Sequence, residues 1–336
     1  MAAEDLPFAL ITHPPADPQQ HQPQMPQQRL ARRRLPPFLS SHQYAALRYQ
    51  PSEALLLAIN MALHTGSPLL LTGESGTGKT QAADFIGAYF AIPVYKFLVK
   101  STSTAQDLMY EFDAVGYLHW AQAASNQTTE RLADKALFVE TQAVRQGFLH
   151  KRALWQAYDT EGDAVVLIDE IDKAPRDFPN DLLHELDQHS FPHPFVPIQM
   201  VRPRCGRPPI VIITSNEERR LPDAFLRRCI FHRIELTPAL VAAAVESMAR
   251  IGDGEPGQAA FPHLTHEARE AARQRFWEIR DLPGLDKKPA TAELLTWLCV
   301  LSALRVSAER LAQGSLRELP GIEVLIKDYG DLQRLG

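Results

Sequence analysis

Apolar residues in this 336-residue chain form short continuous runs in its first two thirds and helical periodicities in its last third. Residues 68–72 (PLLLT), 164–168 (AVVLI) and 209–214 (PIVIIT) are apolar runs of strand length, 93–99 (PVYKFLV) alternates well enough for another strand, and 231–236 can supply one more. Runs without polar alternation suit central strands of a parallel sheet, which is covered on both faces. Helical spacing falls between them, at 52–63 with Ser52 as N-cap and again at 79–90. Alternating strands and helices predict an α/β fold with its ligand site at the carboxyl ends of the strands. From residue 237 onward only helical patterns remain, over 238–249, 266–280 and 291–304. They predict a small helical second domain.

Two stretches stand outside this rhythm. Residues 1–38 interleave prolines and glutamines and end in Arg29, Arg32, Arg33 and Arg34. Such a segment buries too little apolar surface to repay its ordering, so a disordered arm is expected, its arginines read as a solvated charge cluster. Residues 101–163 are too many for a simple crossover between strands and predict helices plus an insertion.

Composition narrows the class. With 45% hydrophobic and 22% charged residues, the chain reads as an ordinary soluble protein long enough for two cores. A net charge of −5 argues against a protein that coats nucleic acid. The three cysteines, Cys205, Cys229 and Cys299, form no CxxC pair, which disfavours a zinc site or disulfide framework and fits a reducing cytoplasm. The first thirty residues lack the apolar block of a signal peptide, and the longest apolar run, 294–304, falls short of the roughly 18 residues of a membrane span. A cytoplasmic protein without membrane insertion is expected.

The sharpest chemical signal is Gly73-Glu74-Ser75-Gly76-Thr77-Gly78-Lys79-Thr80, a complete GxxxxGK[ST] match between a predicted strand and a predicted helix. Glycines let the backbone curl so that its N–H groups face phosphate oxygens, and the following helix turns its positive end to the same anion. Lys79 is expected on the β- and γ-phosphates and the Thr80 hydroxyl on Mg²⁺. The strand Val165-Val166-Leu167-Ile168 ends in Asp169 and Glu170. Asp169 is placed to bind magnesium and Glu170 to polarise the attacking water. Asp172 and Lys173, just beyond, read as a solvated helix start. The run Ile212-Ile213-Thr214-Ser215-Asn216 delivers an amide at a strand's end, where Asn216 either caps the next turn or sits between water and γ-phosphate. Arg227 and Arg228 follow in LPDAFLRR, where an arginine can reach a neighbour's nucleotide.

The ordered set GESGTGKT, VVLIDEIDKAP, IITSN and LPDAFLRRC resembles the AAA+ ATPases, and more narrowly the MoxR-like, dynein-related branch. NDLLHELDQHSF at 180–191 and the closing IKDYGDLQRL are also similar to that group. The resemblance covers residues 45–335. It implies a five-stranded parallel sheet with a helical lid, an ATPase domain over 39–236 and a lid over 237–336. Lys79 and Thr80 then belong to Walker A, Asp169 and Glu170 to Walker B, Asn216 to sensor 1, and Arg228, ahead of Arg227, to the arginine finger. Insertions are implied near 101–125 and 188–208, facing a pore or a remodelled partner. The resemblance further implies ATP and Mg²⁺ as cofactors, a homo-oligomeric, hexameric ring, and a client or partner protein, with a von Willebrand A-type protein as the family's example. The phosphate loop itself does not separate ATP from GTP, and ATP rests on the resemblance.

One departure is plain. The late-helix stretch Asp286-Lys287-Lys288-Pro289-Ala290-Thr291 carries lysines where the family often has the sensor 2 arginine, which leaves Lys288 or Arg305 to serve. Tyr49, before the first helix, can meet a base or simply pack. The leading expectation is an ATP-driven remodeller. The alternatives are a nucleic-acid motor or loader, motivated by residues 29–34 with Arg202, Arg204 and Arg207, and a binding switch with little turnover.

Overall fold

The computed structural model describes residues 42–125, 147–250 and 259–335. The expected arm over 1–38, with Arg29 and Arg32–Arg34, lies outside them. The described residues fall into two compact units. One joins the described residues of Ser52–Gly73 and Ala82–Ile234; the other joins those up to Pro51, the loop Glu74–Gln81 and those from Glu235 onward. The phosphate loop and residues 42–51 therefore group with the helical unit, although 39–236 was expected to form one domain.

In the first unit the strands are β1 (Leu69–Thr72), β2 (Val94–Leu98), β3 (Tyr110–Phe112), β4 (Leu149–Lys151), β5 (Val165–Asp169), β6 (Phe191–His193), β7 (Val196–Val201), β8 (Ile210–Ser215) and β9 (Ile230–Arg233). Five form a parallel sheet in the order β2-β5-β8-β1-β9. The continuous apolar runs take the three inner positions, where Leu69, Leu70, Leu71, Val166, Leu167, Ile168, Ile212 and Ile213 are fully buried. Thr72 pairs with Ser215, and Leu98 with Asp169, so β1, β8, β5 and β2 all end on one edge. The helix Glu53–Thr65 starts at Ser52, whose side chain accepts from Leu55 N, and stops at Gly66 in the left-handed region.

Both expected insertions carry strands too short to read from sequence. β3 pairs antiparallel with β4, and β6 with β7. Aromatic rings lock them together: Phe112 meets Phe195 edge-on at 5.2 Å, and buried Trp155 meets Phe191 at 5.3 Å. Outside this row the helix Ala114–Ser125 exposes Val115, Leu118 and Trp120, and β7 exposes Ile198 to 98%.

The second unit has its own core, built from Val241, Val245, Phe276, Leu294, Trp297 and Leu298 on the helices Pro238–Ala249, His266–Arg280 and Thr291–Ala303. Thr237 and Thr265 cap the first two through Leu240 N and Ala268 N. Asp331, on the closing helix Tyr329–Gln333, is fully buried and accepts from Asp286 N at 2.9 Å, Lys287 N at 3.0 Å and Arg334 at 2.9 Å. Asp286 and Asp328 approach it, but these bonds explain the cluster without a cation. Among the described residues no helix is long and apolar enough to cross a membrane.

Candidate nucleotide site

β5 and β8 lie side by side, and the groups at their carboxyl ends are hydrogen-bonded to one another. Thr214 Oγ1, buried in β8, donates to Asp169 Oδ1 at 2.6 Å and accepts from Glu170 N at 2.8 Å. That single hydroxyl fixes both acidic residues. Glu170 has φ of 61° and ψ of 50°, a left-handed conformation that costs a non-glycine residue roughly 1–3 kcal/mol. The turn aims its carboxylate at the end of β8. There Asn216 Nδ2 donates to Glu170 Oε1 at 3.3 Å, and Lys173 Nζ donates to Oε2 at 2.6 Å. The bond to Glu170 raises the Lys173 ammonium above its ordinary pKa.

Asp172 overturns its sequence reading. It is not a solvated helix start: only 2% exposed, its Oδ2 accepts from Asn216 N and Glu218 N, both at 3.1 Å. It thereby ties the turn after β5 to the turn after β8 and sets where Asn216 stands. Its other oxygen, Oδ1, is buried without a hydrogen-bond partner among the described residues. Lys173, by contrast, is half-exposed as expected, but its ammonium is committed to Glu170.

The loop begins where β1 ends. Gly73 has φ of 137°, and a Cβ there would stand 2.5 Å from Ile234 O, so only glycine fits the exit from the strand. In the second unit, Glu74 O accepts from both Thr77 Oγ1 at 2.9 Å and Lys79 Nζ at 2.7 Å. The loop lysine is thus buried and folded back on its own loop. Ser75 is exposed, Gly76 faces Ala290, and Gly78 faces the Tyr49 ring, whose burial raises its hydroxyl pKa. The helix Lys79–Phe90 opens at the lysine, with Thr80 in its first turn. On the loop, Lys79 and Thr80 offer an ammonium and a hydroxyl of the kinds that bind phosphate and its magnesium; in the first unit Asp169 separately offers a carboxylate, a hard oxygen donor.

The arginines differ from one another. Arg228 Nε donates to Asp187 Oδ2 at 2.7 Å and its NH1 to Ala224 O at 2.8 Å. Arg227 is exposed, and no side-chain partner is seen for it among the described residues. Lys288 is exposed. Arg305 cannot serve beside the loop. It follows the helix Thr291–Ala303, whose other end meets Gly76, and the 13 residues between put about 20 Å in the way.

A further basic residue went unread in the sequence. Arg280 is 7% exposed, and its NH2 donates to Glu74 Oε2 at 2.8 Å. Its signal was present: Ala268, Ala272 and Phe276 mark a buried stripe at four-residue spacing, and Arg280 is the next position on it. The cysteines add no chemistry. Burial pushes the Cys229 and Cys299 thiols up to about 12, and all three are free.

The sequence matches the profile of the ATPase family associated with various cellular activities (AAA) over residues 69–238, just over half of the chain. The chain belongs to the AAA family of ATPases. The AAA match opens at the first residue of β1 and takes in β2, β5, β8 and β9, the whole of the main sheet. Among solved structures, NtrX from Brucella abortus in complex with ADP is 16% identical, with 92% of this chain and 59% of that one covered at a TM-score of 0.46. NtrX in another structure is 16% identical over 84% and 55% of the two chains, at 0.44. A candidate ATPase from Cytophaga hutchinsonii is 11% identical over 81% of each chain, at 0.40. This AAA chain spans little more than half the length of NtrX, and likenesses this distant carry no chemistry across. No curated protein matches the sequence significantly.

Proposed function

We propose that this AAA protein hydrolyses ATP with Mg²⁺ and uses the cycle to remodel a partner protein as a homo-oligomeric ring, in the manner of the MoxR-like branch. The observation that carries this reading is the bond from Asn216 to Glu170, at the sheet edge from which the phosphate loop departs. A loop that only binds nucleotide needs neither group. An aligned carboxylate and amide suit the orientation of water for attack on a γ-phosphate. In this reading Gly73 to Gly78 wrap the phosphates, Lys79 leaves Glu74 O for the phosphate oxygens, and Thr80 and Asp169 hold the magnesium. The ion would neutralise charge on the β- and γ-phosphates. Arg227 and Arg228 would supply the finger to a neighbouring subunit. Arg227 is open for this now, and Arg228 once its pair with Asp187 parts.

Exposed apolar residues on the two insertions, Ile198 at one and Val115, Leu118 and Trp120 at the other, support contact with a client or partner protein. A von Willebrand A-type partner rests on the family resemblance alone. Free thiols support a reducing cytoplasm. The nucleic-acid alternative loses ground, because Arg204 pairs with Asp159 and Arg207 binds Asp163 through two nitrogens at 2.8 and 2.9 Å. The switch alternative has one observation in its favour, the ion pair that holds Glu170 on Lys173. It suggests low turnover until a partner or neighbouring subunit acts.

ATP hydrolysis per subunit, measured from nanomolar to micromolar protein alongside size-exclusion mass, tests the reading. Turnover that rises with assembly supports it. A flat rate from a monomer would contradict the ring, and absence of nucleotide binding would contradict the whole.

A further inference from the structure

Arg280 holds two separate parts of the helical unit at once. Its NH1 donates to Pro289 O, and its NH2 donates to Glu74 Oε2 at 2.8 Å. The guanidinium is nearly buried, with the Phe276 and Trp277 ring centroids 5.9 and 5.7 Å away. Pro289 leads into the turn that seats the phosphate loop: Ala292 N lies 3.4 Å from Gly76 O, and a Cβ on Gly76 would stand 2.9 Å from Ala290 Cβ. The same arginine therefore fixes the loop's second residue and the surface on which its fourth residue rests.

Glu74 passes that restraint on. Its carboxylate belongs to Arg280, while its carbonyl oxygen accepts from Thr77 and Lys79. Any displacement of Glu74 moves the acceptor that positions the loop lysine. We propose that Arg280 is a positioning residue that acts through Glu74 to hold the phosphate loop in its nucleotide-accepting curl, so that loop and helical unit are one binding element. This inference rests on the proposed nucleotide binding. It gives the helical unit a grip on the loop from the end of the helix His266–Arg280, a different place in the chain from Lys288 and Arg305.

Because coupling between two parts is reciprocal, whatever nucleotide does to the loop is felt at Arg280, and the converse. A pair that acts as a unit also gives a non-additive result when both members are changed.

The test is the affinity of full-length protein for a fluorescent ATP analogue, measured for wild type, Glu74→Gln, Arg280→Gln, the double variant and Arg280→Lys. Each single glutamine variant is expected to bind about tenfold more weakly, the loss of one charge-assisted hydrogen bond. The double variant is expected to be no weaker than the singles. Arg280→Lys is expected to recover part of the loss, since one ammonium cannot span both acceptors as the fork does. Additive losses near a hundredfold, or a Glu74→Gln protein that binds like wild type, would overturn the inference. Glu74 is half-exposed and its substitution does not threaten the core, so that arm decides the matter even where Arg280→Gln fails to fold. Wild-type protein that binds no nucleotide would instead overturn the proposed function, and this inference with it.

Discussion

Lys173 Nζ lies 2.6 Å from Glu170 Oε2, three residues along the chain, and so neutralises the carboxylate proposed to polarise water. An ammonium at that distance holds the carboxylate in one direction, and the carboxylate in turn raises the pKa of the ammonium. In the proposed cycle the pair acts as a brake. Lys173→Met is expected to raise basal ATP turnover by about threefold to tenfold, the scale of one charge-assisted hydrogen bond that no longer holds the carboxylate away from water. Steady-state phosphate release checks this. A variant slower than wild type would instead make Lys173 part of the catalytic apparatus.

Asp172 is the structural keystone of the same corner. Asp172→Ala leaves Asn216 N and Glu218 N without their acceptor inside the fold, at a cost of about 2–4 kcal/mol for the two groups. A fall in thermal midpoint together with a loss of turnover is expected, because Asn216 is displaced with its backbone. Asp172→Asn keeps one acceptor and should lie between the two. Unchanged stability in Asp172→Ala would mean that water replaces the carboxylate.

Asp331 makes stability depend on pH. Backbone hydrogen bonds from Asp286, then from Lys287, and the Arg334 cation hold its carboxyl below the ordinary value of 3.8. A group with a lowered folded pKa contributes stability above its unfolded value and loses it as pH falls through the folded one. The contribution is therefore complete at neutral pH and fades only below about pH 4. Asp331→Asn is expected to melt earlier than wild type at pH 7, and the gap is expected to close in acid. Equal midpoints at pH 7 would contradict the assignment.

Much of the sheet was legible because its physics is local. The runs at 68–72, 164–168 and 209–214 are apolar but for the threonines that close the first and the last, and β1, β5 and β8 are the three inner strands, covered on both faces. Ser52 declared its cap and Gly73 its turn. The strands β3, β4 and β6 were not legible, since three residues hold too little periodicity, and their aromatic partners lie far along the chain. Asp172 misled for a related reason. An aspartate just past a strand is usually solvated, and here the deciding N–H groups come from 44 and 46 residues away. Arg280 was legible in part. Its place on the buried stripe marked it as a committed cation, but only the fold reveals Glu74 as its partner, 206 residues distant.

The most direct test of the account compares wild type with Glu170→Gln, for ATP binding and ATP hydrolysis on the same preparations. The amide keeps the size of the side chain and can still meet Asn216, but it cannot take a proton from water. The account predicts binding within about threefold of wild type and turnover reduced on the order of 100-fold or more. Hydrolysis at the wild-type rate by Glu170→Gln would contradict it, and the corner of Asp169, Glu170, Thr214 and Asn216 would then be scaffold.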